Sequence, residues 1–513
     1  MDTKTNTLRG IRIAVACAFL AGITLLFMGI GADWWGWMAK VQFLPAVLRA
    51  IGSATFLNLA VVAGIIVLTL IFGRIYCSVI CPLGIFQDFI IWLRRRYGLA
   101  VNKLIVRRNS AKVRGEQVQA SDKGRQHLRE NPVLKASVKH FEFSPERKLT
   151  RYGFLILSVA AMIAGLQVFI ALIAPYSAYG KIVRGIAGIS DGSPLPLVIT
   201  GLALLLIITA CALLGGRIWC NTICPVGTFL GLFSRFSLFR ISIDEDKCTE
   251  CGRCVRGCKA SCIDGVNHTI DYSRCVDCFD CIGRCSGDAI SYGVRRKKSG
   301  AGVKTEATDS DKSMSRRKFL GIGAVLAGAA LADSTVAKAA DQGGFAPVTP
   351  KQSPERDGRI VPPGAKSVEN FYDRCTSCQL CVAACPNNVL RPSTDLQHFL
   401  QPEAGYEKGF CRPECVRCSE VCPAGAILPV TVEEKSQIHI GRAKVNLDQC
   451  IDCGNCAHHC PTGAIRMIKI DGYDRPKPVV MEEVCIGCGA CEYLCPVRPI
   501  SAITIDGLQT HRI

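Results

Sequence analysis

The chain has 513 residues, with 61 Lys or Arg against 42 Asp or Glu for a formal net charge of +19, and 31 cysteines. At roughly 100–200 residues per domain this length predicts three or four units, each with room for a core. The positive charge lies beside apolar stretches with no nucleic-acid motif, so no nucleic-acid partner is expected, and the cysteines recur as close triplets followed by a fourth, which is ligand spacing and sets aside a disulfide scaffold.

Residues 1–240 are expected to form a four-helix membrane domain. Four uncharged stretches, Ile13 to Ala32, Ala50 to Gly73, Tyr152 to Gly180 and Gly192 to Gly216, are long enough to cross a bilayer. None alternates as a barrel strand would, so each is expected to be a helix with its backbone bonds satisfied internally. Arg9 and Arg12 precede the first stretch, and residues 94–151 hold sixteen Lys or Arg against five Asp or Glu between the second and third. Arg217, Arg235 and Arg240 follow the fourth, which predicts a cytoplasmic face there, with Trp34 to Lys40 and Lys181 to Asp191 on the periplasmic side. Trp34, Trp35 and Trp37 suit either an interfacial belt or simple packing.

An internal repeat sits on this plan. Residues 73–86, GRIYCSVICPLGIF, return at 216–229 as GRIWCNTICPVGTF, identical at nine of fourteen positions. Each copy follows the second span of a pair, so Cys77, Cys81, Cys220 and Cys224 can converge at one membrane face. Three readings stand for these thiols: a metal or cluster site, redox-active thiols beside a quinone, or reduced thiols packing at helix ends. Cys17 and Cys211, alone in apolar spans, read as packing residues.

Residues 241–294 read as a cytoplasmic ferredoxin unit with two [4Fe-4S] clusters. Its runs, Cys248, Cys251, Cys254, Cys258 and Cys275, Cys278, Cys281, Cys285, both follow C-x2-C-x2-C-x3-C. In two-cluster ferredoxins the fourth cysteine of one run binds the other run's cluster. That rule pairs Cys248, Cys251 and Cys254 with Cys285, and Cys275, Cys278 and Cys281 with Cys258. Lys259 and Ser286 stand where proline usually follows, and Cys262 competes with Cys258, which the spacing favours.

Residues 295–366 read as a polar linker around an internal export signal at 315–339. Ser315-Arg316-Arg317-Lys318-Phe319-Leu320 opens an apolar run from Phe319 to Ala332, and Ala337-Lys338-Ala339 follows as an A-x-A site. That order is a twin-arginine signal, its apolar run too short for a full span. If uncut it would remain as a fifth, short anchor.

Residues 367–513 are then periplasmic and carry four more runs. The crossing rule groups Cys375, Cys378, Cys381 with Cys422; Cys411, Cys415, Cys418 with Cys385; Cys450, Cys453, Cys456 with Cys495; and Cys485, Cys488, Cys491 with Cys460. The x3 spacing after Cys411 is unusual. Sixteen cysteines in triplet-plus-one runs exceed what zinc pairs explain. The fold class expected overall is an α-helical membrane bundle plus α+β ferredoxin-like dicluster domains. Gly321-x-Gly323-x4-Gly328 follows no strand, so a dinucleotide site finds no support, and no C-x-x-C-H haem motif occurs.

With these residues in view, the chain resembles a fusion of two components of periplasmic nitrate reductase systems. Residues 1–294 resemble the NapH-like membrane ferredoxins through the spans, the paired G-R-x-x-C-x3-C-P-x-G motifs and the dicluster unit. Residues 315–513 resemble the NapG-like exported polyferredoxins through the signal and the four runs, including Cys495-Pro496-Val497-Arg498-Pro499-Ile500. The resemblance implies a multi-pass protein of the bacterial inner membrane, in contact with membrane lipid and the quinone pool. It further implies quinol as substrate, six [4Fe-4S] clusters, two cytoplasmic and four periplasmic, and a periplasmic reductase or cytochrome as partner. Gln42 to Pro45 or the C-x3-C-P motifs are the candidate quinol positions. The alternative is a maturation or regulatory factor that supplies electrons for metal-centre assembly in a partner enzyme.

Overall fold

The computed structural model describes residues 3–52, 56–113, 141–164, 167–190, 194–295, 349–395 and 397–512. The expected export signal at 315–339 lies outside the described residues.

Two of the four expected spans are continuous helices long and apolar enough to cross a membrane, within α1 (Thr3–Phe27) and in the helix Leu195–Gly215. The other two are corrected. The described residues of the second end α3 (Phe43–Gly52) and form the 17-residue α4 (Phe56–Phe72), an apolar helix shorter than the other two. The third is broken into Lys148–Ile163, Gln167–Ile173 and Pro175–Ala187. Proline supplies the reason at Pro175: it has no N–H, and the preceding Ala174 is pushed out of the helical region to ψ 123°. The stretch read as a periplasmic connection is helical. Residues Ala32–Lys40 form α2, which folds back along α1 so that Met38 and Trp35 crowd against Gly22, while Trp34 and Trp37 stay exposed.

The second half-repeat closes by a tighter contact. Helix Pro175–Ala187 packs on Leu195–Gly215 where Gly185 meets Gly201; a Cβ on Gly185 would lie 2.9 Å from the Gly201 Cα, so only glycine allows this approach. Large apolar side chains face outward on several helices, including Phe56, Leu57, Ile156, Leu206 and Leu214. A water-facing bundle rarely leaves so much apolar surface uncovered.

The first cysteine-rich unit pairs Phe239–Ile243 antiparallel with Ile290–Val294 over a core of Ile241, Ala260, Ile263, Phe279 and Ile290. It sits on the end of the bundle where α1 begins. Arg9 pairs with Asp280, the Arg217 backbone N–H donates to Lys259 O at 2.9 Å, and that of Leu238 to Leu70 O at 2.8 Å. The second unit is framed by Ile503–Arg512 paired with His439–Val445 and by two shorter hairpins. It sits where α1 ends. There Phe27 packs on Tyr176 (ring centroids 5.0 Å apart), Ser177 Oγ donates to Cys378 O at 2.9 Å, and Arg184 Nη2 donates to Glu420 O at 2.7 Å. From Arg9 to Phe27, at about 1.5 Å per residue, the two units stand roughly 27 Å apart along α1.

Candidate iron-sulfur sites

The local backbone explains why the runs form cups. In five of six runs, the residues just before and just after the second cysteine both have positive φ. They are Glu250 and Gly252 (51° and 64°), Asp277 and Phe279 (47° and 58°), Ser377 and Gln379 (53° and 64°), Asp452 and Gly454 (61° and 69°), and Gly487 and Gly489 (73° and 78°). Such alternation of hand turns successive N–H groups into one concavity, a nest that holds anions and recurs at iron-sulfur sites. A cubane with four thiolates is such an anion, so these cups fit the group. The run at Cys411, with its x3 spacing, lacks the pattern: Val416 has φ −113°.

The structure brings the cysteines together across runs. Cys248, Cys251, Cys254 and Cys285 line one hollow; Cys275, Cys278, Cys281 and Cys258 line a second, together with Cys262. Cys411, Cys415, Cys418 and Cys385 surround a third, and Cys450, Cys453, Cys456 and Cys495 a fourth. Burial pushes the Cys381 thiol well up, and its neighbours Cys378, Cys375 and Cys422 add to this. Cys488 is pushed up to about 12 by burial, with Cys460 and Cys485 among the charges near it, and Cys491 lies beside both Cys488 and Cys485. Among the described residues, no three His, Cys, Asp or Glu close on a point that would hold a single ion.

The groups form a row. Cys418 of the third hollow lies near Cys381. The Cys411 N–H donates to Cys488 O at 2.9 Å, and Cys491 lies near Cys456, whose neighbour Asn455 donates from Nδ2 to Leu494 O at 2.7 Å. The spatial order in the second unit is therefore the Cys375, Cys411, Cys485 and Cys450 groups, with the Cys375 group against the bundle and exposed Cys453 at the far end. In the first unit the Cys275 group faces the bundle, and Cys251 is exposed beyond it.

Between the two units lies the paired motif. Cys77, Cys81, Cys220 and Cys224 are all buried and near enough for each to feel the others' charge. The two copies clasp each other through fully buried arginines. Arg74 Nη2 donates to Cys220 O at 3.1 Å and Arg217 Nη1 to Cys77 O at 2.7 Å. The motif glycines are forced by this clasp: a Cβ on Gly84 would strike Cys77 O, and one on Gly227 would strike Cys220 O. Arg74 Nη1 also reaches Ser273 O at 2.9 Å, next to the Cys275 group. On the other side Phe86 meets Tyr179, with ring centroids 5.9 Å apart, two residues along the same helix from Ser177 and its bond to Cys378.

Sequence reasoning missed the role of Lys259, read only as a departure from proline. Its ammonium bridges Asp88 (2.8 Å) on the helix Pro82–Val113 and Asp280 (3.4 Å), fastening the first unit to the bundle. Burial alone would raise Asp88, but Arg217, Lys259 and Arg12 outweigh it and hold the carboxyl well below the usual range. A buried charge at a position that favours proline was the available signal.

Comparison with known proteins agrees with this chemistry. Two families described as 4Fe-4S binding domains match residues 54–100 with 197–244, which contain the paired motif, and residues 369–391. Two described as 4Fe-4S dicluster domains match residues 410–464 and 443–505. The chain is similar to the methylamine utilization ferredoxin-type protein MauN of Paracoccus denitrificans, 27% identical over 37% of this chain and 49% of the relative. It is also similar to the ferredoxin-type protein NapH of Haemophilus influenzae, 26% identical over 42% of this chain and 55% of the relative. A third similarity, to the uncharacterized protein MJ0749 of Methanocaldococcus jannaschii, is 41% identical over 12% of this chain and 26% of that one. The chain spans about half the length of the MauN and NapH relatives it matches. Its matched segments are thus 4Fe-4S domains, and over part of its length it is similar to the ferredoxin-type proteins NapH and MauN.

Proposed function

We propose that this chain is a membrane-bound electron conduit that takes electrons from quinol and delivers them through its second cysteine-rich unit to a periplasmic reductase or cytochrome. The observation that carries this reading is the row of cysteine groups. It runs from the bundle face at the Cys375 group to an exposed end at Cys453, with a second row beyond the paired motif on the opposite side. In this reading the six cysteine groups hold six [4Fe-4S] clusters, two cytoplasmic and four periplasmic, and each cluster, once in place, accepts and passes one electron. The protein's own contribution is to hold the cups in sequence, exclude water from the inner ones and join the two rows across the buried thiols of the paired motif. The twin-arginine stretch at 315–339 exports the second unit already folded, as a NapG-like partner fused behind a NapH-like one. The outward apolar surface and the two long apolar helices support a place in the inner membrane.

The test uses the full chain in detergent or lipid with a reduced quinol analogue. Cluster signals followed by electron paramagnetic resonance are expected to appear on quinol addition and to match in number those raised by dithionite. Clusters that respond to dithionite but never to quinol would refute this reading. A second reading rests on the open hollow at Cys248, Cys251, Cys254 and Cys285, lined also by Lys247, Arg253, Arg256, Glu250 and Asp264. There a cytosolic donor feeds the row directly, and insensitivity of the same signals to quinone-site inhibitors favours it.

A further inference from the structure

One hollow is lined by both the bundle and the second unit: Leu48 and Arg49 of α3 face Tyr372, Ser377, His398 and Phe399 across it. Leu48 and Phe399 give it one apolar side. Buried Phe399 and Leu400 push out of the second unit and pack on Leu48, Ala161 and Ile170 of the bundle. Its rim is polar, and it adjoins the Cys375 group, because Ser377 belongs to that cup and Gln401 Nε2 donates to Cys375 O at 3.4 Å.

The loop that builds it is strained. Leu400 has φ +63°, a conformation bulky residues avoid. It is held there by Gln379 Nε2 donating to Leu400 O, and by the Leu400 N–H donating to Ser393 O at 3.1 Å. Such strain persists where the surroundings over-determine it, most often at ligand sites.

The loop also fixes the protonation pattern of His398. Gln401 Nε2 donates to the carbonyls of Tyr372 (2.8 Å) and Cys375 (3.4 Å), so the amide cannot flip and its Oε1 must face His398 Nδ1, 3.2 Å away. Nδ1 therefore carries the hydrogen in the neutral ring, and Nε2 keeps its lone pair. Stacking on Tyr372, with centroids 3.8 Å apart and planes at 19°, holds the ring in place.

We propose that this hollow receives the head group of a quinol, with His398 Nε2 as proton acceptor and the Cys375, Cys378, Cys381, Cys422 group as first electron acceptor. The inference rests on the quinol reading above and adds its site. Quinol oxidation to quinone releases two electrons and two protons. The electrons go one at a time to two oxidised [4Fe-4S] clusters, those of the Cys375 and Cys411 groups; one proton goes to His398 Nε2, and the other leaves by the exposed Asp373 carboxylate to water. Burial lowers the pKa of His398. The charged groups around it are Arg359, Asp395 and Glu403, with Arg49 and Asp373 on the hollow's wall.

The experiment labels the full-length protein with a photoreactive azido-quinone and maps the modified peptide, then compares wild type with His398→Gln and Leu48→Trp. Label is expected on residues 44–49 or 395–401 and to vanish in Leu48→Trp, which fills the hollow. His398→Gln is expected to slow cluster reduction by quinol about a hundredfold, the lower range for a positioned base, and to flatten its pH profile, with iron content and dithionite reduction unchanged. Label elsewhere, with quinol reduction intact in both variants, overturns this site and leaves the quinol reading standing. Failure of quinol to reduce wild-type clusters that dithionite reduces overturns both.

Discussion

The clasp between the two motif copies predicts a specific cost for Arg217→Met. Arg217 is fully buried, with Nε 2.8 Å and Nη2 2.7 Å from Asp88 Oδ1, and its Nη1 donates to Cys77 O at 2.7 Å. Removing one partner of a buried pair costs about 3–5 kcal/mol because the other charge stays behind unpaired. Lys259 and Arg12, 2.8 and 3.4 Å from Asp88, remain and place this case near the lower end. At roughly 2–4 °C per kcal/mol for a unit of this size, a loss of about 3 kcal/mol lowers the melting temperature by about 6–12 °C. The assay is a tryptophan-fluorescence melt of the detergent-solubilised full chain, with Asp88→Asn and the double variant completing a cycle. The double variant should lose less than the sum of the singles, since each single substitution strands the same pair. An Arg217→Met melt within about 2 °C of wild type, or strict additivity in the cycle, would refute the assignment of stability to this clasp.

Two further outcomes are expected. Cys258 Sγ lies 3.6 Å from Cys262 Sγ on the wall of one hollow, and the crossing rule prefers Cys258. Iron analysis of purified protein should give about 24 irons per chain if all six sites are filled, with Cys258→Ser losing iron and Cys262→Ser retaining it; the reverse result would make Cys262 the ligand. His511 in the strand Ile503–Arg512 has both ring nitrogens buried without a hydrogen-bond partner, and burial lowers its pKa from 6.5 to about 4. Because the folded-state value lies below the unfolded one, its stabilising effect is complete above about pH 6.5 and is lost as pH falls toward 4. At about 1.36 kcal/mol per unit the loss is at most about 3 kcal/mol. Denaturant melts of the second unit's circular dichroism should show it in wild type and not in His511→Phe.

The cysteine cups were legible because their determinants are local. Three cysteines lie within seven residues in five of the six runs, and the residues flanking the second cysteine, such as Ser377 and Gln379, need only the left-handed turns that make the nest. Their order in space was not legible. That the Cys485 group lies between the Cys411 and Cys450 groups depends on long-range contacts such as Cys411 N–H to Cys488 O, which no spacing encodes. Hydropathy located the apolar stretches but misjudged their continuity. Composition is blind to a proline such as Pro175 inside an apolar run, and to α2 folding back on α1.

The two ends of the bundle bear differently on the chain's own connectivity. Residue 295 lies at the end where α1 begins and residue 349 belongs to the unit at the other end, roughly 27 Å away along the helix. The 53 intervening residues, 296–348, lie outside the described residues. At about 3.3 Å per residue their contour reaches roughly 175 Å, far more than the gap needs, so chain length does not dictate which end the second unit occupies. What holds it there is the contact itself. Arg184 to Glu420 O and Ser177 to Cys378 O supply directed bonds, and Phe399 and Leu400 bury an apolar plug among Leu48, Ala161 and Ile170. At about 1.5–3 kcal/mol for each large apolar side chain fully buried, Phe399 and Leu400 alone contribute on the order of 3–6 kcal/mol before the entropy of association is counted. The interface thus has directed and apolar contacts of its own, and neither kind requires the covalent link through residues 315–339.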